Sequence, residues 1–542
     1  MRMGPGRTSV RKALGAIALL LVFAASSRLS ITQPATGGAQ VGLAPTPPMG
    51  WASWNHFFCD YDDQTIRDQG DALVSTGMRD LGYRYVLIQE CIAPTRAADG
   101  ALIVDAARFP HGMKDLVDYL HARGLKAGIY TDIGAHTCFP NPLYEGSYQH
   151  EEQDARTFAA WGMDLVEMDF CNHPEGVTGR AIYERMAAAI GATGRPMLFY
   201  LCSWGSEEPW TWAQGKAQLW RTTGDISMVK NRAEWKDVLR NFELNAAHSV
   251  FSAPNSWNDP DMLEVGNQGL TLTEAESQYS MWALSAAPLL AGNDLTAMSD
   301  SVRGIYTNQE AIAVDQDTLG AGPVKIAGSD DVVEVWTKAL GSIGSGQSAV
   351  LLLNVSDAPQ IAKVQWSDLG LSGKAAVRDL RAHRELGEFR DGYQADIPAH
   401  GSILLKVSGE FSWKKGATYE AEGPGNLREG NASLLACAEC SQGYAVSLRG
   451  GAPGLKGGSI TLTNVAVPRS DGYVLSIFSA GAHAGTQVEV RVNNDPPSTV
   501  HLKAGGQGAT RIPVALKQGS NSIAFRLAGE GSVDLDRFVL SR

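Results

Sequence analysis

From residue 40 to residue 321 the chain keeps to one alternation: a short apolar run, then a longer segment with apolar residues at helical spacing. Tyr85-Val86-Leu87-Ile88, Lys126-Ala127-Gly128-Ile129-Tyr130 and Met197-Leu198-Phe199-Tyr200-Leu201 are runs of the first kind. Residues 112–123 and 273–285 are of the second. Strands buried on both faces read as unbroken apolar runs, and helices between them indicate parallel βαβ units. Such a sheet needs helices on its outer face, and a span of this length suits eight units closed into a (β/α)8 barrel. The predicted fold class is therefore α/β, with the barrel first.

The alternation stops at residue 322. Val332-Val333-Glu334-Val335-Trp336, Ala349-Val350-Leu351-Leu352-Leu353 and Ser402-Ile403-Leu404-Leu405 are strand-like with no helical segment between them. They predict an antiparallel β-sandwich over 322–408. Residues 417–542 are rich in glycine, with strand patterns at 472–478, 486–492 and 522–527, and predict a second, C-terminal β-sandwich of jelly-roll type.

Residues 1–30 read as a signal peptide. Arg2, Arg7, Arg11 and Lys12 precede an apolar stretch, 13–25, that is too short to span a bilayer comfortably. The expected product is secreted or periplasmic, with no membrane segment in its mature form. A formal net charge of -12 argues against nucleic acid and anionic membrane surfaces as partners. Seven cysteines in an exported chain favour disulfides over metal sites.

Within Met163-Asp164-Leu165-Val166-Glu167-Met168-Asp169, apolar residues lead up to Asp169, a carboxylate at the end of a predicted strand. Side chains at that end of a barrel strand line the active-site face, although an Asp there also suits a helix N-cap. Asp225 follows Leu219-Trp220-Arg221 in the same predicted setting. Hydrolysis of a glycosidic bond uses such a pair, one carboxylate attacking the sugar carbon and the other protonating the leaving oxygen.

Pro47-Pro48-Met49-Gly50-Trp51-Ala52-Ser53-Trp54-Asn55 and Trp257-Asn258-Asp259-Pro260-Asp261-Met262-Leu263 resemble hallmarks of the α-galactosidases of glycoside hydrolase family 27. Arg108-Phe109-Pro110-His111-Gly112 and Ala286-Ala287-Pro288-Leu289 agree with it. The resemblance implies a retaining α-glycosidase acting on oligo- or polysaccharide without a catalytic cofactor. Asp169 falls on the family's nucleophile and Asp225 on its acid/base, whose pKa should be raised. Trp54, Tyr130, Trp204, Arg221 and Asp261 fall on substrate-contacting positions. Cys59 with Cys91, and Cys138 with Cys171, fall on family disulfides, and Cys202 is expected as a buried free thiol. Tyr419-Glu420-Ala421-Glu422 and Asp534-Leu535-Asp536-Arg537-Phe538 resemble carbohydrate-binding modules of family 35. That likeness implies Ca²⁺ held by Glu420, Glu422 and Asp536, the two Glu sharing one face of a strand.

The sugar-reading positions depart from the family. Gln89-Glu90 stands where α-galactosidases carry two Asp, and Glu167 where they carry a Lys. Ser203 stands where they commonly carry Glu and where the N-acetylgalactosaminidases carry Ser. Replacing an ammonium by a carboxylate exchanges a donor for an acceptor. Galactose is the family default; an isomaltodextranase-like α-glucan hydrolase and a β-L-arabinopyranosidase are alternatives. A carbohydrate-binding protein without catalysis is a reading from another class, and it has no need of both Asp169 and Asp225. Glu167 beside Asp169 should be protonated or lean on a cation such as Arg221.

Overall fold

The computed structural model describes residues 42–140, 143–226, 228–329, 332–451, 457–482, 485–504 and 508–542. The expected signal peptide lies outside them. Among the described residues no helix is long and apolar enough to cross a membrane.

Eight parallel strands open the fold: β1 (Met49–Ala52), β2 (Tyr83–Ile88), β3 (Lys126–Asp132), β4 (Leu165–Asp169), β5 (Leu198–Cys202), β6 (Leu219–Arg221), β7 (Trp257–Asp259) and β8 (Leu289–Ala291). They pair in the order β8-β1-β2-β3-β4-β5-β6-β7. A parallel bridge between Leu263, just past β7, and Ala291 on β8 closes the ring. Two hydrogen bonds hold that closure, Leu263 N–H to the Leu290 carbonyl and Gly292 N–H to the Leu263 carbonyl, each 2.8–2.9 Å.

Along each strand one set of side chains faces the helices and the other fills the barrel. On β4, Val166 and Met168 join the outer core with Phe158, Ile182 and Met186, whereas Leu165 packs inside with Leu87, Leu198, Leu219 and Trp257. Side-chain direction alternates along a strand, so Glu167 and Asp169 share the inward direction of Leu165. That alternation brings two carboxylates to the open end of the barrel.

Beyond the barrel, a six-stranded antiparallel sheet and a two-stranded one (Gln360–Gln365 with Gly392–Ile397) enclose a core of Val350, Leu352, Val364, Trp366 and Val377. Its Trp336 and Leu351 face the barrel helices and belong to the barrel's outer core. The last strands form two antiparallel sheets, of six and five strands, around Val446, Leu475, Ile523, Phe525 and Phe538. This C-terminal unit rests on the loop after β5: Arg428 donates to Gln214 (2.7 Å) and Trp210 to the Tyr444 hydroxyl (3.4 Å). The fold class expected from the sequence is the one observed.

Candidate active site

A cavity of about 390 Å³ opens at the C-terminal ends of the barrel strands, lined by Trp54, Gln89, Glu90, Tyr130, Glu167, Asp169, Trp204, Arg221 and Asp225 among others. Ligand sites of (β/α)8 barrels lie on that face. Of the residues singled out in the sequence, Ser203 and Asp261 do not line it. Ser203 is fully buried and its hydroxyl donates to the Ser206 carbonyl (3.1 Å). Asp261 lies behind the wall and pairs with Arg221 (3.0 Å). An Asx turn precedes it, since Asp259 Oδ1 accepts from the Asp261 N–H (2.8 Å).

Asp169 ends β4, in register with Asp132 on β3 and Cys202 on β5. Its Oδ2 accepts from the Tyr130 hydroxyl (2.9 Å) and its Oδ1 from the Phe170 N–H (2.9 Å). Asp225 is not at a strand end; it stands in the loop four residues past Arg221, with its side chain 29% exposed. Arg221 fixes it through Nη2 to Oδ1 (3.0 Å), so one buried guanidinium bridges Asp225 and Asp261. Burial, then the charge of Asp225, pushes Asp169 up to about 7. Burial thus raises the proton affinity of the deeper of the two carboxylates.

Gln89 and Glu90 follow β2. Gln89 Nε2 donates to Glu167 Oε2 (2.8 Å) while its Oε1 accepts from the Trp54 N–H (3.2 Å). Glu90 Oε1 accepts from the Phe139 N–H (3.0 Å) and stands 3.0 Å from the Tyr130 hydroxyl oxygen. Glu90 and Cys91 both have positive φ, 59° and 54°, an uncommon backbone for residues other than glycine and one that concentrates at functional sites. Burial raises Glu90, and raises Glu167 well above the ordinary carboxylate range, with the Asp169 charge adding to the second. Glu167 thus leans on the neutral Gln89 amide, and Arg221 opposes its rise only at a distance.

The walls are apolar. Trp54 stacks on Phe58 (centroids 4.4 Å apart) and meets Phe139 edge-on, and Trp204 and Met228 complete the rim. Aromatic faces of this kind suit the C–H face of a pyranose. Asn55, Phe58, Phe139, Met228 and Met262 line the cavity without having been singled out; Asn55 was visible only as part of the motif around Trp54.

Disulfides join Cys59 to Cys91 and Cys138 to Cys171, as expected, and Cys202 is a buried free thiol. The second disulfide pins the loop after β4 beside Asp169. A third, Cys437 to Cys440, was not foreseen. Asp132, Cys138, Asp169 and Cys171 cluster closely, but both sulfurs are in a disulfide and have no thiolate to offer a metal.

In the C-terminal unit, Ser441 Oγ stands within hydrogen-bond distance of both Glu420 and Asp536, with one proton for the two, and Asp536 also accepts from the Ser441 N–H (2.8 Å). Glu422 lies two residues past the end of its strand (Ala417–Glu420) instead of within it, so strand alternation does not set its direction. It is fully buried, and among the described residues both of its carboxylate oxygens lack a hydrogen-bond partner.

A barrel whose cavity holds one carboxylate at a strand end and a second in a neighbouring loop has the carboxylate pair that glycoside hydrolases use. Comparison with known proteins names the family. Residues 46–317 match the model described as alpha galactosidase A, and residues 330–407 match the alpha galactosidase C-terminal beta sandwich domain. An alpha-galactosidase of Cyamopsis tetragonoloba is 42% identical over 373 residues, 68% of this chain and 88% of that protein. Alpha-galactosidase A of Cellvibrio japonicus is 39% identical, covering 72% and 98%. The crystal structure of alpha-galactosidase I from Mortierella vinacea superposes with a TM-score of 0.63 at 34% identity, covering 69% of this chain and 99% of that one. The chain belongs to the α-galactosidase family of glycoside hydrolases.

Proposed function

We propose that the chain is an exported, retaining exo-α-glycosidase that removes terminal α-linked sugars from oligo- or polysaccharide. The observation that carries this reading is the pairing of Asp169 and Asp225 in one cavity, the first held by hydrogen bonds and the second by a guanidinium. Asp169 attacks the anomeric carbon; Tyr130 and the Phe170 N–H fix its two oxygens. Asp225, exposed enough to meet a leaving group, protonates the glycosidic oxygen and then takes a proton from water. Arg221 orients Asp225 for both steps. Retention needs carboxyl groups about 5–5.5 Å apart, so that no water fits between carboxylate and sugar. Product anomers followed by NMR test the reading: the first-formed sugar keeps the α configuration. Asp169→Ala should abolish turnover, and added azide should restore it with inverted product. An initially inverted product from the wild type would overturn the mechanism.

The C-terminal unit, on this reading, is a carbohydrate-binding module that holds the enzyme near its substrate. Its carboxylates suit Ca²⁺: an oxygen-only donor set, with the buried Glu422 carboxylate lacking a hydrogen-bond donor among the described residues. Glu420, Glu422 and Asp536 would hold the ion, which would supply the positive charge that Glu422 lacks.

A further inference from the structure

We propose that the sugar in the cavity carries an ammonium group on the side of the ring remote from the anomeric carbon; its substrate class is a terminal α-linked aminodeoxy sugar. This deepens the glycosidase reading and rests on it.

Charge at the cavity is one-sided. Glu90, Glu167, Asp169 and Asp225 all line it, and Arg221 is the single cationic side chain among the described lining residues. That guanidinium is already bound to Asp225 and Asp261. Nothing is left to match Glu167. It is 2% exposed, its Oε2 accepts from the neutral Gln89 amide, and among the described residues its Oε1 has no donor. A buried carboxylate without a cation is costly to ionise, and burial accordingly raises the proton affinity of Glu167. A cation supplied by the substrate would favour its ionised form and offset that cost. An ammonium offers a full charge and three donors in a compact group, which matches an open carboxylate oxygen better than a neutral hydroxyl does.

Depth decides where on the ring that charge sits. Asp169 meets the anomeric carbon, and Glu167 lies two residues earlier on the same strand and the same face, about 6.6 Å back along the strand toward the barrel interior. A pyranose held with its anomeric carbon at Asp169 therefore presents its far edge to Glu167, Gln89 and Glu90. A remote ammonium is also the chemically tolerable one. At C2 it would adjoin the positive charge that develops at the anomeric carbon in the transition state; at C4 or C6 that repulsion is weaker.

The experiment uses the whole chain and three probes: p-nitrophenyl α-D-galactopyranoside and its 4-amino-4-deoxy and 6-amino-6-deoxy analogues. At least one amino analogue should exceed the galactoside tenfold or more in kcat/KM. Glu167→Gln, which keeps the shape and removes the charge, should cut that preference at least tenfold; Glu167→Lys should reverse it. As a readout apart from turnover, Asp169→Asn protein should bind 6-amino-6-deoxygalactose more tightly than galactose in calorimetry. Galactoside turnover equal to or better than both amino analogues overturns this inference and leaves the glycosidase reading standing. An amino preference untouched by Glu167→Gln also overturns it. Turnover of none of the three by the wild type, with no binding of either sugar, overturns both.

Discussion

Two groups of carboxylates in this molecule, one in the barrel and one in the C-terminal unit, are treated differently by their surroundings. At the barrel mouth, Glu90, Glu167, Asp169 and Asp225 each accept at least one hydrogen bond, from Tyr130, Gln89, a backbone N–H or Arg221. In the C-terminal unit, Glu420 and Asp536 share Ser441, while Glu422 has no hydrogen-bond partner among the described residues. Hydrogen bonds that fix a carboxylate without cancelling its charge keep it useful as a nucleophile or proton carrier. A buried carboxylate with no donor at all calls for a fixed cation. The first arrangement suits chemistry and the second suits an ion.

The largest test of that contrast is Asp225→Ala. General acid–base help is worth about 10²- to 10⁴-fold. Natural α-glycosides, whose leaving groups need a proton, should lose that much in kcat/KM, and p-nitrophenyl glycosides should keep a near-normal first step. Equal losses on both substrate types would mean that Asp225 is not the acid.

The next test is pH. Burial pushes Asp169 and Asp261 up to about 7 and Glu264 up to about 8. Unfolded carboxylates titrate near 4. Between about pH 4 and pH 8 the unfolded chain therefore holds fewer protons than the folded one, and stability falls as pH rises through that window. Carboxylates whose affinity is lowered, such as Glu184 beside Lys216, act below it. Calorimetry should find Tm higher at pH 5 than at pH 8, and a Tm that is flat or rising over that range would contradict the assignment.

The C-terminal group gives a smaller effect. If Glu422 helps hold Ca²⁺, the ion at a hundred times its Kd stabilises the fold that binds it by about 2.7 kcal/mol. Added Ca²⁺ should raise the transition assigned to this unit by a few degrees, and EDTA should reverse it. Burial raises Glu422 to about 8 with Glu420 and Asp536 adding to it, so Glu422→Gln should stabilise the ion-free protein while removing the response to Ca²⁺. A Ca²⁺ response that survived the substitution would remove Glu422 from the site.

The same difference between the regions explains what the sequence made legible. The runs at 85–88, 126–130 and 197–201 fall within or within one residue of observed strands, because burial on both faces leaves an unbroken apolar signature. Asp169 could be placed because such a run precedes it. Three of the strands, Leu219–Arg221, Trp257–Asp259 and Leu289–Ala291, have three residues each and offer no periodicity; the motifs around them were the signal. What stayed hidden depends on contacts made only by barrel closure. That Arg221 spans Asp225 and Asp261, and that Ser203 turns to Ser206, are facts of three-dimensional placement. The Cys437–Cys440 link was hidden for another reason, since a lone Cys-x-x-Cys is equally compatible with thiols or a disulfide.

The smallest effect concerns Tyr130. Its hydroxyl stands 3.0 Å from Glu90 Oε1 and 2.9 Å from Asp169 Oδ2, yet a phenol has one proton to donate. If Tyr130 donates to Asp169, a carboxyl proton on Glu90 completes the chain by donating to the Tyr130 oxygen, in keeping with the raised affinity of Glu90. Tyr130→Phe removes both links at once and leaves the ring in place. Asp169 then keeps the Phe170 N–H but loses a hydrogen bond that favours its charged form, so its pKa should rise further above 7. The acidic limb of kcat/KM should move to higher pH, with a loss of about tenfold below pH 7, the size of one hydrogen bond to a charged group. A uniform loss across pH would mean that Tyr130 only shapes the wall, and an unchanged profile would mean that it donates to Glu90 and not to the nucleophile.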